Sequence, residues 1–196
     1  IGKGALNALN AGADAYNVAV GWTAGSAVTT GIQNTLIGGL AGDVLTDADY
    51  NVALGVSALG ADTLGSKSVA LGYSTLTNQN FTTATDTYNM AVGYTAGSSV
   101  TTGVGNTLLG GLSGDALTDA DYNISIGFNA LSADTLGSGS VAIGKGALNV
   151  QNFTTATTTN NVAVGTAAGG NVTTGIHNTL IGATAGDALT SGGSNT

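Results

Sequence analysis

Asn17-Val18-Ala19-Val20-Gly21, Asn34-Thr35-Leu36-Ile37-Gly38 and Asn51-Val52-Ala53-Leu54-Gly55 are three copies of the phrase that decides the fold. Its closing glycine falls at Gly21, Gly38, Gly55 and Gly72, in steps of 17 residues. A step of 21 leads to Gly93, Gly110, Gly127 and Gly144, and another step of 21 leads to Gly165 and then Gly182. A strand-sized phrase repeated at a fixed step predicts a solenoid in which each copy stacks on the last. Steps of 17, 17, 17 and 21 residues make a superrepeat of 72, beginning near residues 17, 89 and 161. Residues 1–196 therefore read as a single repeat array. Ile1-Gly2-Lys3-Gly4-Ala5-Leu6 matches Ile143-Gly144-Lys145-Gly146-Ala147-Leu148, so the chain opens mid-phrase and reads as a piece of a longer fibre.

Side chains alternate across a strand. One set comprises Val18/Val20, Val52/Leu54, Val69/Leu71, Met90/Val92, Ile124/Ile126, Val141/Ile143 and Val162/Val164, with Thr35/Ile37 in a variant copy. These branched and aliphatic residues suit a buried strand face, so they are expected to point into the coil. The other set is Ala19, Ala53, Ala70, Ala91, Ser125, Ala142 and Ala163, with Leu36, Leu108 and Leu180 in the variant copies. No charge appears there, so this set is expected to lie against another surface. After each glycine, a column of Gly25, Gly42, Gly97 and Gly114 alternates with Leu59, Leu76, Leu131 and Leu148. Units with glycine carry a later aliphatic, Val28 or Leu45, and units with leucine are expected to use Leu64 or Phe81.

The phrase opens on Asn17, Asn34, Asn51, Asn89, Asn106, Asn123, Asn161 and Asn178, with Ser68 and Ser140 in the remaining slots. Stacked asparagines can hydrogen-bond along the axis and tolerate left-handed backbone angles, so they predict a structural ladder at a turn. The glycine row at Gly21, Gly38, Gly55, Gly72, Gly93, Gly110, Gly127, Gly144, Gly165 and Gly182 predicts a tight corner where φ is positive.

Composition narrows the function. The chain has 33 glycines but no proline, unlike collagen, and no cysteine for disulfides or thiolate metal sites. Eleven acidic residues against three lysines give a net charge of −8, with no basic patch for nucleic acid. No apolar run reaches the roughly 18 residues of a membrane span, so no membrane insertion is expected in this segment. A coil of 17-residue turns has a thin core, and burying the charge-free column against neighbouring chains would support it. An oligomer is therefore expected.

Ser140-Val141-Ala142-Ile143-Gly144 and Ser68-Val69-Ala70-Leu71-Gly72 resemble the head repeats of trimeric autotransporter adhesins (YadA-like), whose signature is Asn-Ser-Val-Ala-Ile-Gly. The variant Asn-Thr-Leu-Ile-Gly, with Thr-Thr-Gly upstream as at Thr29-Thr30-Gly31, is similar to repeats in fibre proteins of tailed phages. The resemblance covers nearly the whole chain. It implies an all-β parallel solenoid of the left-handed β-roll type, about ten turns long. It also implies a homotrimer and a location outside the cell, on a cell surface or on a virion.

Candidate sites are few. Trp22, Tyr73, Tyr94 and Phe128 follow the corner glycines and are candidate receptor contacts, able to stack on a glycan or grip a protein of the host surface. The plainer alternative is that they cap the core edge or an interchain groove. Asp43, Asp47 and Asp49, with copies Asp115, Asp119 and Asp121, are oxygen ligands of the type calcium takes, but the third copy loses the pair. Solvated turn residues are the favoured reading, so no metal or other cofactor is expected. His177 replaces Gln33 and Gly105 and reads as incidental. No nucleophile–base pair or phosphate-binding loop is present, so an enzyme is not expected. The expected function is a structural, non-enzymatic fibre segment, of a phage tail fibre or a trimeric adhesin, that spaces and presents a binding tip. Rivals are a self-assembling surface filament and an ice-binding solenoid. The latter needs a threonine column on every turn, whereas Thr29-Thr30 recurs only every fourth unit.

Overall fold

The computed structural model describes residues 1–12 and 14–196. Its strands in chain order are β1 (Val18–Val20), β2 (Thr35–Ile37), β3 (Val52–Leu54), β4 (Gly65–Ser66), β5 (Val69–Leu71), β6 (Thr85–Asp86) and β7 (Met90–Val92). They continue as β8 (Thr107–Leu109), β9 (Ile124–Ile126), β10 (Gly137–Ser138), β11 (Val141–Ile143), β12 (Thr157–Thr158), β13 (Val162–Val164) and β14 (Thr179–Ile181). The repeated phrase supplies one three-residue strand per turn. The ten phrase strands form one sheet in the order β1-β2-β3-β5-β7-β8-β9-β11-β13-β14. Every pairing is parallel and in register, as in Val18↔Thr35, Ala19↔Leu36 and Val20↔Ile37. The chain is thus a parallel β-solenoid of about ten turns. The 21-residue units add two small parallel sheets, β4 with β6 and β10 with β12.

The two faces of the phrase strand are opposite to expectation. Ala19, Leu36, Ala53, Ala70, Ala91, Leu108, Ser125, Ala142, Ala163 and Leu180 form the inward column, nearly all fully buried. The Val/Leu/Ile set points out of the coil. Val18, Val20, Leu54, Met90, Ile124 and Ile181 are exposed, Val18 by 49%. The reason is width. The inward column shares a narrow interior with Ala24, Val28, Ala41, Leu45, Ala58 and Leu59 of the other walls, so a small residue fits there. Leucine is accommodated at Leu36 only because the wall opposite is glycine. A Cβ on Gly42 would stand 2.7 Å from Leu45 Cδ1 and 2.9 Å from Leu36 Cδ2. Ser125 is matched in the same way by Ser113, whose Oγ lies 2.8 Å from its own.

A second correction concerns the far wall. Val28 and Leu45 are buried there, but in the leucine-bearing units the equivalent positions, 17 residues on at each step, are Asp62 and Gln79. Leu64 is only half-buried, and Phe81 is buried beside the longer turn rather than in the main core cluster. The main core thus alternates between turns filled by an aliphatic over glycine and turns filled by leucine over a polar side chain.

The corners are set by left-handed backbone. Gly21, Gly38, Gly55 and the rest of the row have φ between 127° and 145°. A Cβ on Gly127 would stand 2.6 Å from the carbonyl oxygen of Gly144, so stacking itself forbids a side chain. The ladder asparagines are not themselves left-handed. That role falls to the residue before each one: Tyr16, Gln33, Tyr50, Tyr88, Gly105, Tyr122, Asn160 and His177 have φ between 49° and 68°, as does Lys67 before Ser68.

Candidate functional site

The asparagine ladder is the most regular polar feature. Asn34 Oδ1 accepts from the backbone N–H of Asn51, and Asn34 Nδ2 donates to the carbonyl of Ala48 at 2.7 Å. The pattern repeats at Asn51, Asn106 and Asn123. Each amide therefore joins its own turn to the next turn, inside the protein. These residues hold the corner and offer nothing to a ligand.

Where serine replaces asparagine, a buried network fills the gap, and nothing in the sequence analysis identified it. Asp62 Oδ1 accepts from the N–H groups of Gly65 and Phe81 at 3.1 and 3.0 Å. Its Oδ2 accepts from Gln79 Nε2 at 2.5 Å. Gln79 also donates to Ser68 Oγ at 3.0 Å and accepts from Asn89 Nδ2 at 2.9 Å. Ser68 Oγ and Thr87 Oγ1 lie 2.5 Å apart. The same arrangement recurs with Asp134, Gln151, Ser140, Thr159 and Asn161. Among the described residues Asp134 has no cationic partner, and burial pushes its carboxyl above the usual carboxylate range despite the donors around it. Counting on by 17 from Leu45 reaches Asp62 and then Gln79, so the signal was present in the repeat.

The candidate receptor contacts stand in one exposed column. Trp22, Tyr73, Tyr94 and Phe128 are all more than half exposed, and Tyr73 stacks on Tyr94 with centroids 5.4 Å apart and planes 10° from parallel. Tyr16, Tyr50, Tyr88 and Tyr122 form a second exposed column on the other side of the sheet. There Lys67 pairs with Asp86 and lies 5.3 Å from the ring centre of Tyr88. The ion pair lowers the Asp86 carboxyl and raises the Lys67 ammonium. Between the two columns lies the outward face of the ten-stranded sheet.

The aspartate loops are held by hydrogen bonds one turn apart. Asp47 Oδ1 accepts from Thr30 Oγ1, and Asp49 Oδ1 from the N–H of Ile32 at 2.8 Å. Asp119 and Asp121 do the same with Thr102 and Val104. Partial burial pushes the Asp43 and Asp115 carboxyls up. Among the described residues, no three carboxylate or histidine side chains converge as metal ligands would. His177 sits exposed at one of the left-handed corners.

Threonine occupies one column on three turns of every four, more often than the Thr-Thr-Gly phrase alone shows, with asparagine on the fourth. The backbone ladder runs from Thr29 to Thr46 to Thr63, from Asn80 through Thr101 and Thr118 to Thr135, and from Asn152 through Thr173 to Thr190. The hydroxyls of Thr29, Thr46, Thr118 and Thr173 donate to the carbonyl of the next turn. The sequence hid this column because only Thr29, Thr101 and Thr173 lie in the conspicuous Thr-Thr-Gly.

No protein-family model, no characterised protein and no solved structure matches the chain.

Proposed function

We propose that the chain is a structural, non-enzymatic segment of an extracellular fibre, of the phage-tail or surface-adhesin kind, which spaces and presents a binding tip. The observation that carries this reading is the unbroken parallel ladder of ten registered strands. At roughly 4.8 Å per strand, ten turns make a rod about 50 Å long whose length is set by repeat number. A spacer needs fixed length and stiffness, and both follow from one repeating turn. The test is to remove residues 89–160, one superrepeat, from the complete fibre. The rod seen by electron microscopy should shorten by about 19 Å, four turns, with attachment retained. A fibre of unchanged length, or one that loses its fold, would refute the spacer reading.

The threonine column favours a second reading, an ice-binding solenoid, because it places a hydroxyl or amide at every turn along one line. Thermal hysteresis or ice shaping by the purified chain would support it. Ice growth indistinguishable from that in buffer would exclude it.

A further inference from the structure

We propose that Asn80 and Asn152 are acceptor sites for N-linked glycosylation, by a transferase that uses a diphosphate-activated sugar. The inference goes beyond the spacer reading and places a covalent modification on the wall that carries the threonine column.

The pattern Asn-x-Ser/Thr, with x not proline, is the acceptor sequence for this modification. It occurs four times, at Asn80-Phe81-Thr82, Asn123-Ile124-Ser125, Asn152-Phe153-Thr154 and Asn171-Val172-Thr173. In a chain rich in asparagine and threonine the pattern alone selects nothing, but packing selects two. Asn123 is fully buried, and its Nδ2 donates to the carbonyl of Gly137 at 2.9 Å, while Ser125 Oγ donates to that of Ala130 at 2.8 Å. Asn171 is exposed, but its Nδ2 donates to the carbonyl of Asp187 at 2.6 Å and Thr173 Oγ1 to that of Thr190 at 3.1 Å. In these two copies the amide and the hydroxyl are already engaged by the fold.

Asn80 and Asn152 differ. Each is exposed, the phenylalanine after it is buried, and the threonine beyond is exposed again. The phenylalanine is the anchor. Phe81 N–H donates to Asp62 Oδ1 at 3.0 Å, and its carbonyl accepts from Leu64 N–H at 3.1 Å. Phe153 is held in the same way by Asp134 and Leu136. With the ring turned in, the asparagine and the threonine on either side of it face solvent. Asn80 Oδ1 accepts from Thr63 Oγ1 at 3.3 Å, and Asn152 Oδ1 from Thr135 Oγ1 at 3.1 Å. Among the described residues neither Nδ2 has a partner, and nor does the hydroxyl of Thr82 or Thr154. Among them, too, the backbone N–H groups of Thr82, Thr83 and Ala84, and of Thr154, Thr155 and Ala156, donate to no other turn. A transferase must draw its acceptor into its own cleft, and these loops are the segment of the long turn least tied to the coil.

The step is a substitution at the sugar. The asparagine Nδ2 attacks the anomeric carbon, the bond from that carbon to the phosphate oxygen breaks, and the diphosphate leaves with the electron pair. The amide gives up one of its two protons to a base of the transferase. One C–N bond replaces one C–O bond, and nothing is oxidised or reduced. Asn80 and Asn152 fill the fourth-turn slot of the threonine column, four turns or about 19 Å apart. Asn80 lies midway along the chain between β5 and β7, so a sugar there leaves the outward face of the ten-stranded sheet uncovered.

The test is mass spectrometry of the complete fibre, taken from the cells that make it and digested to peptides. Peptides containing Asn80 and Asn152 should carry a sugar assigned to the asparagine by fragmentation, and those containing Asn123 and Asn171 should be bare. Asn80→Gln and Thr82→Ala should each remove the first sugar and leave the second, whereas Thr82→Ser should keep both, because it keeps the hydroxyl. All three positions are exposed, so the variants should fold with unchanged circular dichroism. Bare Asn80 and Asn152 in the native fibre would overturn the proposal. So would a sugar that survives Thr82→Ala at that site, or modification of Asn123 and Asn171 to the same extent. None of these outcomes alters rod length, so failure here is distinguishable from failure of the spacer reading.

Discussion

Glycine at the corner is the residue on which stacking turns. Gly127 has φ of 133°, and a Cβ there would collide with the carbonyl of the next corner. Gly127→Ala should cost roughly 2–4 kcal/mol, from backbone strain plus overpacking, read as a lower denaturation midpoint. The asparagines act differently. Asn106→Ala would strip the N–H of Asn123 and the carbonyl of Ala120 of their partners. Buried unsatisfied groups cost about 1–3 kcal/mol each, so this variant should lose several kcal/mol in the same measurement. The exposed Lys67–Asp86 pair contrasts with both, and Lys67→Ala should leave the denaturation midpoint nearly unchanged. The identities of the corner residues were legible from spacing alone. Which residue takes the left-handed angle was not: residues as unlike as Tyr16, Gln33, Asn160 and His177 occupy the slot before the asparagine.

At the scale of the element, the glycine-bearing and the leucine-bearing turns solve the same packing problem with different chemistry. The glycine-bearing turns fill the interior with Val28 or Leu45, and the leucine-bearing turns, one short and one long, share a buried carboxylate with its amide and hydroxyl partners. A pH dependence follows. Burial raises the Asp134 carboxyl above its ordinary value of 3.8, so the folded chain holds that proton to higher pH than the unfolded chain does. Folding takes up a proton in that window. Stability contributed by this group is therefore greatest at low pH and declines as pH rises from about 3.8 through the raised folded value. Asp43 and Asp115 act in the same direction. Asp134→Asn should flatten part of this slope in urea melts taken at a series of pH values. The strand phrase itself was legible, but its direction was not. Alternation tells which residues share a face, while the width of the coil decides which face is inside. Here the coil is so narrow that alanine, not valine, belongs in it.

For the whole molecule, parallel topology, register and turn number follow from the glycine steps, because a fixed step admits only one way to stack. The surface was harder to foresee. An aliphatic column reads as core in isolation, so the exposed sheet face and its aromatic borders emerge only once the coil is closed. The threonine column was hidden for a related reason: its members are spread over unlike local sequences and align only through stacking.

One property of the ladder has a mechanical side. Each turn touches only the turn before and the turn after, and its backbone hydrogen bonds lie along the rod. A pull on one end then loads a single seam at a time, and turns peel away in order. Each peeled turn pays out about 60 Å of slack, or about 70 Å for the longer unit, against the roughly 5 Å it occupied. Pulling a single chain should give a sawtooth of force with every fourth tooth wider. A tether built this way yields by lengthening, and absorbs a jolt before its far end lets go.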